Sequence, residues 1–285
     1  MKSPGIQRTQ VAGMNMHHKQ YSLEHFLESM RHNGYRSIAF WGGVPHFALD
    51  ELHYQDCTAL RRRFSEYELD CVCFTTPALL PGNQFAIGGR EAAEHTFRYF
   101  AKGIRAAAEL GCKLMIANSG YGLRQEPRGE AWKRAREMLC RVAEEGAKFG
   151  IVLTMESLRP QETNLCYNLV ETRRMLQEAN HPNLKAMVDT CAMAVSGESL
   201  WDWFEAFDGQ IANLHFIDAS PIGHLAWGDG ILPLADMLRC LNHYGYTGPL
   251  GLEITDSRYY ARPEEADQQT MRVLKRYFVD ERGGN

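Results

Sequence analysis

Eight times along the chain a short apolar segment gives way to a longer stretch of helical periodicity, and this alternation constrains the fold more than any other feature. The apolar segments lie near residues 9–14, 37–41, 71–75, 113–117, 151–155, 185–188, 211–216 and 250–254. Helical patterns fall near 22–33, 52–67, 90–110, 128–149, 168–179, 199–207, 233–244 and 263–279. Strands that alternate with helices pair in parallel, because a crossover must carry the chain back before the next strand begins. Gly34, Gly111, Gly150 and Gly245 each stand between a helical stretch and the next strand, where a left-handed residue ends a helix. Ser22, ahead of Glu24 and His25, and Pro127, ahead of Glu130, fit helix starts. In the fourth helical stretch Glu130/Arg134, Glu137/Arg141 and Glu144/Lys148 are spaced i,i+4 and predict ion pairs along one solvated face.

Eight such units in 285 residues predict an α/β chain folded as one (β/α)8 TIM barrel domain spanning 1–285. A doubly wound open sheet is the alternative, but it usually carries a Gly-rich phosphate turn. No G-x-G-x-x-G or Walker loop occurs, and Gly120–Tyr121–Gly122 is too short to count as one. A hydrophobic fraction of 45% excludes disordered and collagen-like classes. With 31 basic against 35 acidic side chains, the net charge of −4 argues against a nucleic-acid partner. The eight cysteines form no C-x-x-C pair and mostly sit in apolar segments, so they read as buried thiols in a reducing compartment. The N-terminus has no apolar signal core and no apolar run approaches a membrane span, so a soluble, cytoplasmic protein without a membrane partner is expected.

In a TIM barrel the reactive groups stand at the C-terminal ends of strands. The fifth strand ends VLTME at Glu156, the sixth ends KAMVD at Asp189, the seventh contains ANLHF with His215, and the eighth contains LGLE with Glu253. The separations of 33, 26 and 38 residues are each about one strand–helix repeat, so the four groups should converge at the barrel mouth. Three carboxylates and one imidazole make an oxygen-rich site suited to Mn²⁺, Mg²⁺ or Co²⁺, and poorly suited to closed structural zinc. Burying three carboxylates together without a cation would be costly. Asn118, after the fourth strand, and Asp218 and His224, after the seventh, are further mouth-facing candidates for substrate contact. His17, His18, His95 and His243 read as surface or helix residues.

The segments GYRSIAFWGGVPH (34–46), ESLRPQETN (156–164), MVDTCA (187–192), LHFID (214–218) and GDGILPL (228–234) carry a resemblance. Over nearly its whole length the chain is similar to the sugar isomerase/epimerase superfamily with the xylose-isomerase-like barrel, and within it to fructoselysine-type 3-epimerases. The resemblance implies one divalent metal held by Glu156, Asp189, His215 and Glu253. It also implies that Glu156 and Glu253 exchange protons with the substrate carbon, and that the enzyme is a homo-oligomer, a dimer or tetramer. Glu162 matches a glutamate that hydrogen-bonds the sugar, and Trp41 and His46 match a wall of the sugar pocket. Chemistry agrees: a metal bridging the carbonyl and adjacent hydroxyl of a ketose stabilises the developing enediolate. Epimerisation then needs a base on one face of the carbon and an acid on the other, which two carboxylates supply.

Departures from the family narrow the substrate. Members acting on free ketohexoses place a histidine where this chain has Ala192, and an arginine where it has Pro221. Fructoselysine-type members lack both, so the expected activity is metal-dependent C3 epimerisation of a ketose or of a ketosamine such as fructoselysine. Their Pro-Gly-Glu-Gly loop appears here as Trp227–Gly228–Asp229–Gly230, which predicts a tryptophan near the pocket rim. The competing readings are a sugar isomerase (hydroxypyruvate or ketose/aldose), an inosose-type dehydratase and, more distantly, an apurinic-endonuclease-like hydrolase. The endonuclease would need a histidine-rich mouth and a basic groove. A barrel that binds sugar without turnover is a third class, and the four-ligand set argues against it.

Overall fold

In the computed structural model, which describes residues 5–49, 55–78, 83–220 and 223–279, the predicted alternation is found in order. It runs β1 (Val11–Gly13), α1 (Leu23–His32), β2 (Ser37–Trp41), α2 (Cys57–Glu66), β3 (Asp70–Thr75), α3 (Arg90–Leu110), β4 (Leu114–Asn118), α4 (Arg128–Lys148) and β5 (Val152–Glu156). There follow α5 (Leu169–Ala179), β6 (Leu184–Asp189), α6 (Thr190–Val195), α7 (Leu200–Ala206) and β7 (Ile211–His215). The chain continues with β8 (Asp218–Ala219), β9 (His224–Leu225), α8 (Leu234–His243), β10 (Leu250–Leu252) and α9 (Pro263–Leu274). The parallel strands close into a barrel in the order β1–β10–β7–β6–β5–β4–β3–β2, while β8 and β9 form a small antiparallel pair above it. No helix among the described residues is long and apolar enough to cross a membrane.

Helix ends obey the chemistry that marked them. Ser22 Oγ accepts a hydrogen bond from His25 N at 3.2 Å, and Asp56 and Asn168 cap α2 and α5 in the same way. All four predicted glycines adopt positive φ, from 62° at Gly245 to 87° at Gly111. The ion pairs of α4 depart from the expected ladder. Arg134 reaches Glu126, Lys148 takes Glu145, and Arg141 forms a two-pronged bridge to Glu94 on α3 with both contacts at 2.7 Å. Packing α4 against α3 gives Arg141 a planar carboxylate partner and a Phe97 ring to lie on, a better fit than its own helix offers.

Two apolar layers hold the barrel. Ala12, Met14, Ala39, Cys73, Ile116 and Met187 fill its interior, and a larger cluster including Phe40, Leu139, Leu153 and Trp203 lies between strands and helices. All eight cysteines are free, and all but the half-buried Cys140 are buried. Two expectations are corrected here. His17 and His18 are fully buried, not surface residues: their Nε2 atoms each lie 2.8 Å from a carboxylate oxygen of Asp267 on α9, which pins the turn after β1 to the last helix. Trp227 is no rim residue either. It is 1% exposed, packs on Phe216 and donates its indole N–H to the Phe216 carbonyl, because the apolar gap under the β7 loop needs a large side chain.

Candidate active site and metal centre

Strand register places the four predicted ligands. Asn118 pairs with Glu156 across β4 and β5, Asp189 pairs with His215 across β6 and β7, and His215 pairs with Gly251 of β10. Glu253 follows two residues later, just beyond the strand end. Neighbouring strands at one level aim alternate side chains inward. One ligand atom from each of Glu156, Asp189, His215 and Glu253 therefore lies within 4.8 Å of the others. His215 Nδ1 stands at the centre, 2.5 Å from Glu156 Oε1, 3.3 Å from Glu253 Oε2 and 3.7 Å from Asp189 Oδ2. Gly251 makes room for that imidazole, since a Cβ there would sit 3.3 Å from His215 Cδ2.

The electrostatics are those of carboxylates crowded out of water. Burial pushes the Glu156 carboxyl up to about 7, against the opposing pull of His215. Burial acts on Glu253 in the same sense, but His215 and His224 together hold it below the ordinary carboxylate range. Both histidines resist burial and keep their protons well above the ordinary imidazole range, because Glu253, Glu156 and Asp189 surround them. Asp189 Oδ2 is buried without a hydrogen-bond partner among the described residues, while Oδ1 caps α6 by accepting from Ala192 N at 2.6 Å. A donor set of three carboxylates and one imidazole, with one carboxylate oxygen unsatisfied, fits a hard divalent cation.

A cavity of about 280 Å³ opens over this cluster. Of the predicted substrate residues, Trp41, Asn118, Glu162 and His224 line it, as does Ala192, whose small side chain leaves space beside Asp189. His224 Nδ1 lies 3.0 Å from Glu253 Oε2, so it touches the ligand cluster directly. Trp41 owes its place partly to Gly43, where a Cβ would fall 2.0 Å from the indole ring.

The structure does not bring His46 and Asp218 into the cavity lining. His46 is 3% exposed, with Nδ1 2.9 Å from the Asn15 amide and Nε2 3.0 Å from the Tyr21 carbonyl. Asn15 in turn bonds both the N–H and the C=O of Trp41, so His46 acts on the wall through Asn15. Asp218 turns into its own loop and accepts from Ala219, Gly228, Gly230 and Leu232 N–H groups at 2.9–3.0 Å. Glu162, though in the lining, has its carboxylate gripped by Arg159. Pro221 lies outside the described residues.

Sequence reasoning passed over Ser157 and Arg159, both in the lining and both inside the quoted ESLRPQETN segment. Their signal was position alone: they follow Glu156 directly into the mouth. Ser157 Oγ is buried without a hydrogen-bond partner among the described residues, so a ligand hydroxyl can satisfy it.

Residues 27–277 match the family described as xylose isomerase-like TIM barrel. The chain belongs to that family. A curated family relative, fructoselysine 3-epimerase of Shigella flexneri, is 24% identical over 252 residues, spanning 86% of this chain and 91% of its own length. Among solved structures of this barrel, L-ribulose 3-epimerase superposes with a TM-score of 0.78 at 18% identity, covering 95% of each chain. The IolI protein with a bound zinc atom superposes with a TM-score of 0.73 at 18% identity, covering 95% of this chain and 99% of its own.

Proposed function

We propose that this xylose isomerase-like barrel is a divalent-metal-dependent 3-epimerase of a ketose or ketosamine, with Glu156 and Glu253 as its acid–base pair. The isomerase class follows from kinship with curated sugar epimerases along most of the chain. The observation that carries the finer reading is the convergence of Glu156, Asp189, His215 and Glu253 beneath one cavity, with Glu156 at the end of β5 and Glu253 just after β10, two strands separated by β6 and β7.

A bound divalent cation would supply positive charge where negative charge develops on the sugar oxygens. The chain's own residues do the rest. One glutamate takes the proton from the carbon beside the carbonyl, and the other returns a proton from the opposite side, inverting the centre. Glu156 ends β5 and Glu253 follows β10, so the two carboxylates approach the cavity from different sides of the barrel mouth. Asp189 and His215 hold the geometry, and Trp41 offers a face to the apolar side of a sugar.

The test is an NMR screen of ketoses and fructosamines in D₂O with added Mn²⁺. An epimerase incorporates one deuterium at the inverted carbon and conserves mass, and a product lighter by one water would instead identify a dehydratase.

A further inference from the structure

β9 brings His224 to the end of β6, and a second convergence of ligand atoms results. Asp189, Cys191 and His224 each present one such atom, all within 4.8 Å of one another. Asp189 belongs to both groups. Its Oδ2 stands between two imidazoles, 3.7 Å from His215 Nδ1 and 3.6 Å from His224 Nε2, and neither separation is a hydrogen bond. Asp189 Oδ2 and His224 Nε2 are both buried without a hydrogen-bond partner among the described residues, on side chains 3% and 8% exposed. Oxygen and nitrogen ligands of a tetrahedral zinc ion, about 2.0–2.2 Å from the metal, stand roughly 3.3–3.6 Å from each other. The Asp189–His224 gap is the length of one edge of such a site.

The donor set is softer than that of the carboxylate cluster. Cys191, two residues after Asp189 on α6, is fully buried among the apolar side chains of Ile217, Leu225 and Ile254. His224 turns Nδ1 to Glu253 Oε2 at 3.0 Å, the arrangement by which a carboxylate orients a ligating imidazole, and leaves Nε2 toward Asp189. A thiolate, an imidazole and one carboxylate favour zinc over magnesium or calcium. Charge points the same way. With both imidazoles neutral, one divalent ion leaves the three buried carboxylates with one negative charge unmatched, whereas a Cys191 thiolate and a second divalent ion bring the total to zero. We propose that Asp189, Cys191 and His224 bind a second divalent cation of the zinc class, with Asp189 shared between the two ions and the Cys191 proton released to solvent on binding. This ion ties the mouth hairpin at β9 to the end of β6.

The experiment titrates Co²⁺ into the full-length, chelator-stripped protein and follows the near-ultraviolet band that a thiolate gives on binding Co²⁺ and that carboxylate and imidazole ligands do not. Dialysis with elemental analysis counts the ions. The wild type should take up two equivalents, with the band rising alongside one of them. Cys191→Ala should abolish the band and weaken that equivalent by about 100-fold, while the other, at Glu156, Asp189, His215 and Glu253, still binds. Cys240→Ala, which removes a buried thiol of α8 in the larger core cluster, should keep the band and both equivalents. X-ray absorption of the zinc-loaded wild type gives a reading that needs no variant, a sulfur neighbour at about 2.3 Å. One equivalent without a thiolate band, a band that survives Cys191→Ala, or a zinc shell of nitrogen and oxygen alone overturns the second site. Should Cys191→Ala not fold, Cys191→Ser and the wild-type sulfur neighbour carry the decision. These readouts do not depend on which sugar is turned over, so failure of the epimerase reading leaves them standing.

Discussion

His215 presents Nδ1 to Glu156 Oε1 at 2.5 Å, so the imidazole and the first carboxylate of the cluster converge on one point at the barrel mouth. With Glu253 3.3 Å from the same nitrogen, the histidine lies between the two proposed acid–base groups. Replacing either glutamate by glutamine keeps the shape and removes the titration. Glu156→Gln and Glu253→Gln should each lower deuterium exchange into a turned-over ketose by about 10²–10⁴-fold, with circular dichroism unchanged. Near-normal exchange in either variant would sink the two-base mechanism.

Asp189 offers a second handle, since one oxygen caps α6 and the other faces the ligand cluster. Asparagine preserves a cap but not the charge. We expect Asp189→Asn to weaken Mn²⁺ binding by about 100-fold or more, measured by titration calorimetry, with the melting temperature of the metal-free protein little changed. Wild-type affinity in this variant would remove Asp189 from the ligand set.

Gly251 tests the packing behind the ligands. A methyl group there would sit 3.3 Å from both His215 Cδ2 and the Leu214 carbonyl, so the ring must shift by a few tenths of an ångström. Gly251→Ala should lower metal affinity by roughly tenfold, in the range that displaced supporting groups produce, while far-ultraviolet dichroism stays native. Unaltered affinity would mean that the ring accommodates the methyl without leaving its place.

Acid sensitivity should come from a different cluster. Burial alone would raise the Asp267 pKa, but contacts with His17 and His18 hold it well below the ordinary 3.8. Its stabilising contribution is therefore present above that value and lost as the pH falls through the lowered one. Burial lowers His18 below its ordinary 6.5, so under that pH the unfolded chain takes up a proton that the folded one resists. Both slopes have one sign: urea melts should show stability falling as the pH drops from about 6.5, and more steeply under about 4. Asp267→Ala should cost about 3–5 kcal/mol at neutral pH, and a cost under about 1 kcal/mol would make this cluster a bystander.

What could be read in advance depended on how far each signal reaches along the chain. The barrel and the convergence of Glu156, Asp189, His215 and Glu253 at its mouth were legible because strand period and strand-end position are local properties. The helix Thr190–Val195 was not, because a six-residue turn is too short to show periodicity and is nucleated by Asp189, which reads first as a ligand. The burial of His17 and His18 depends on a partner 250 residues away, which no window captures. Arg159 and Glu162 lie three apart in a loop, where spacing carries no periodic meaning, so their grip on each other emerged only with the backbone in place.

The four N–H groups gathered by Asp218 give the mouth loop an internal frame of its own. That frame carries β9, and with it His224, whose Nδ1 lies 3.0 Å from Glu253 Oε2. The roof of the cavity is therefore wired into its floor: a substitution that loosens the Asp218 frame reaches the carboxylates through one imidazole.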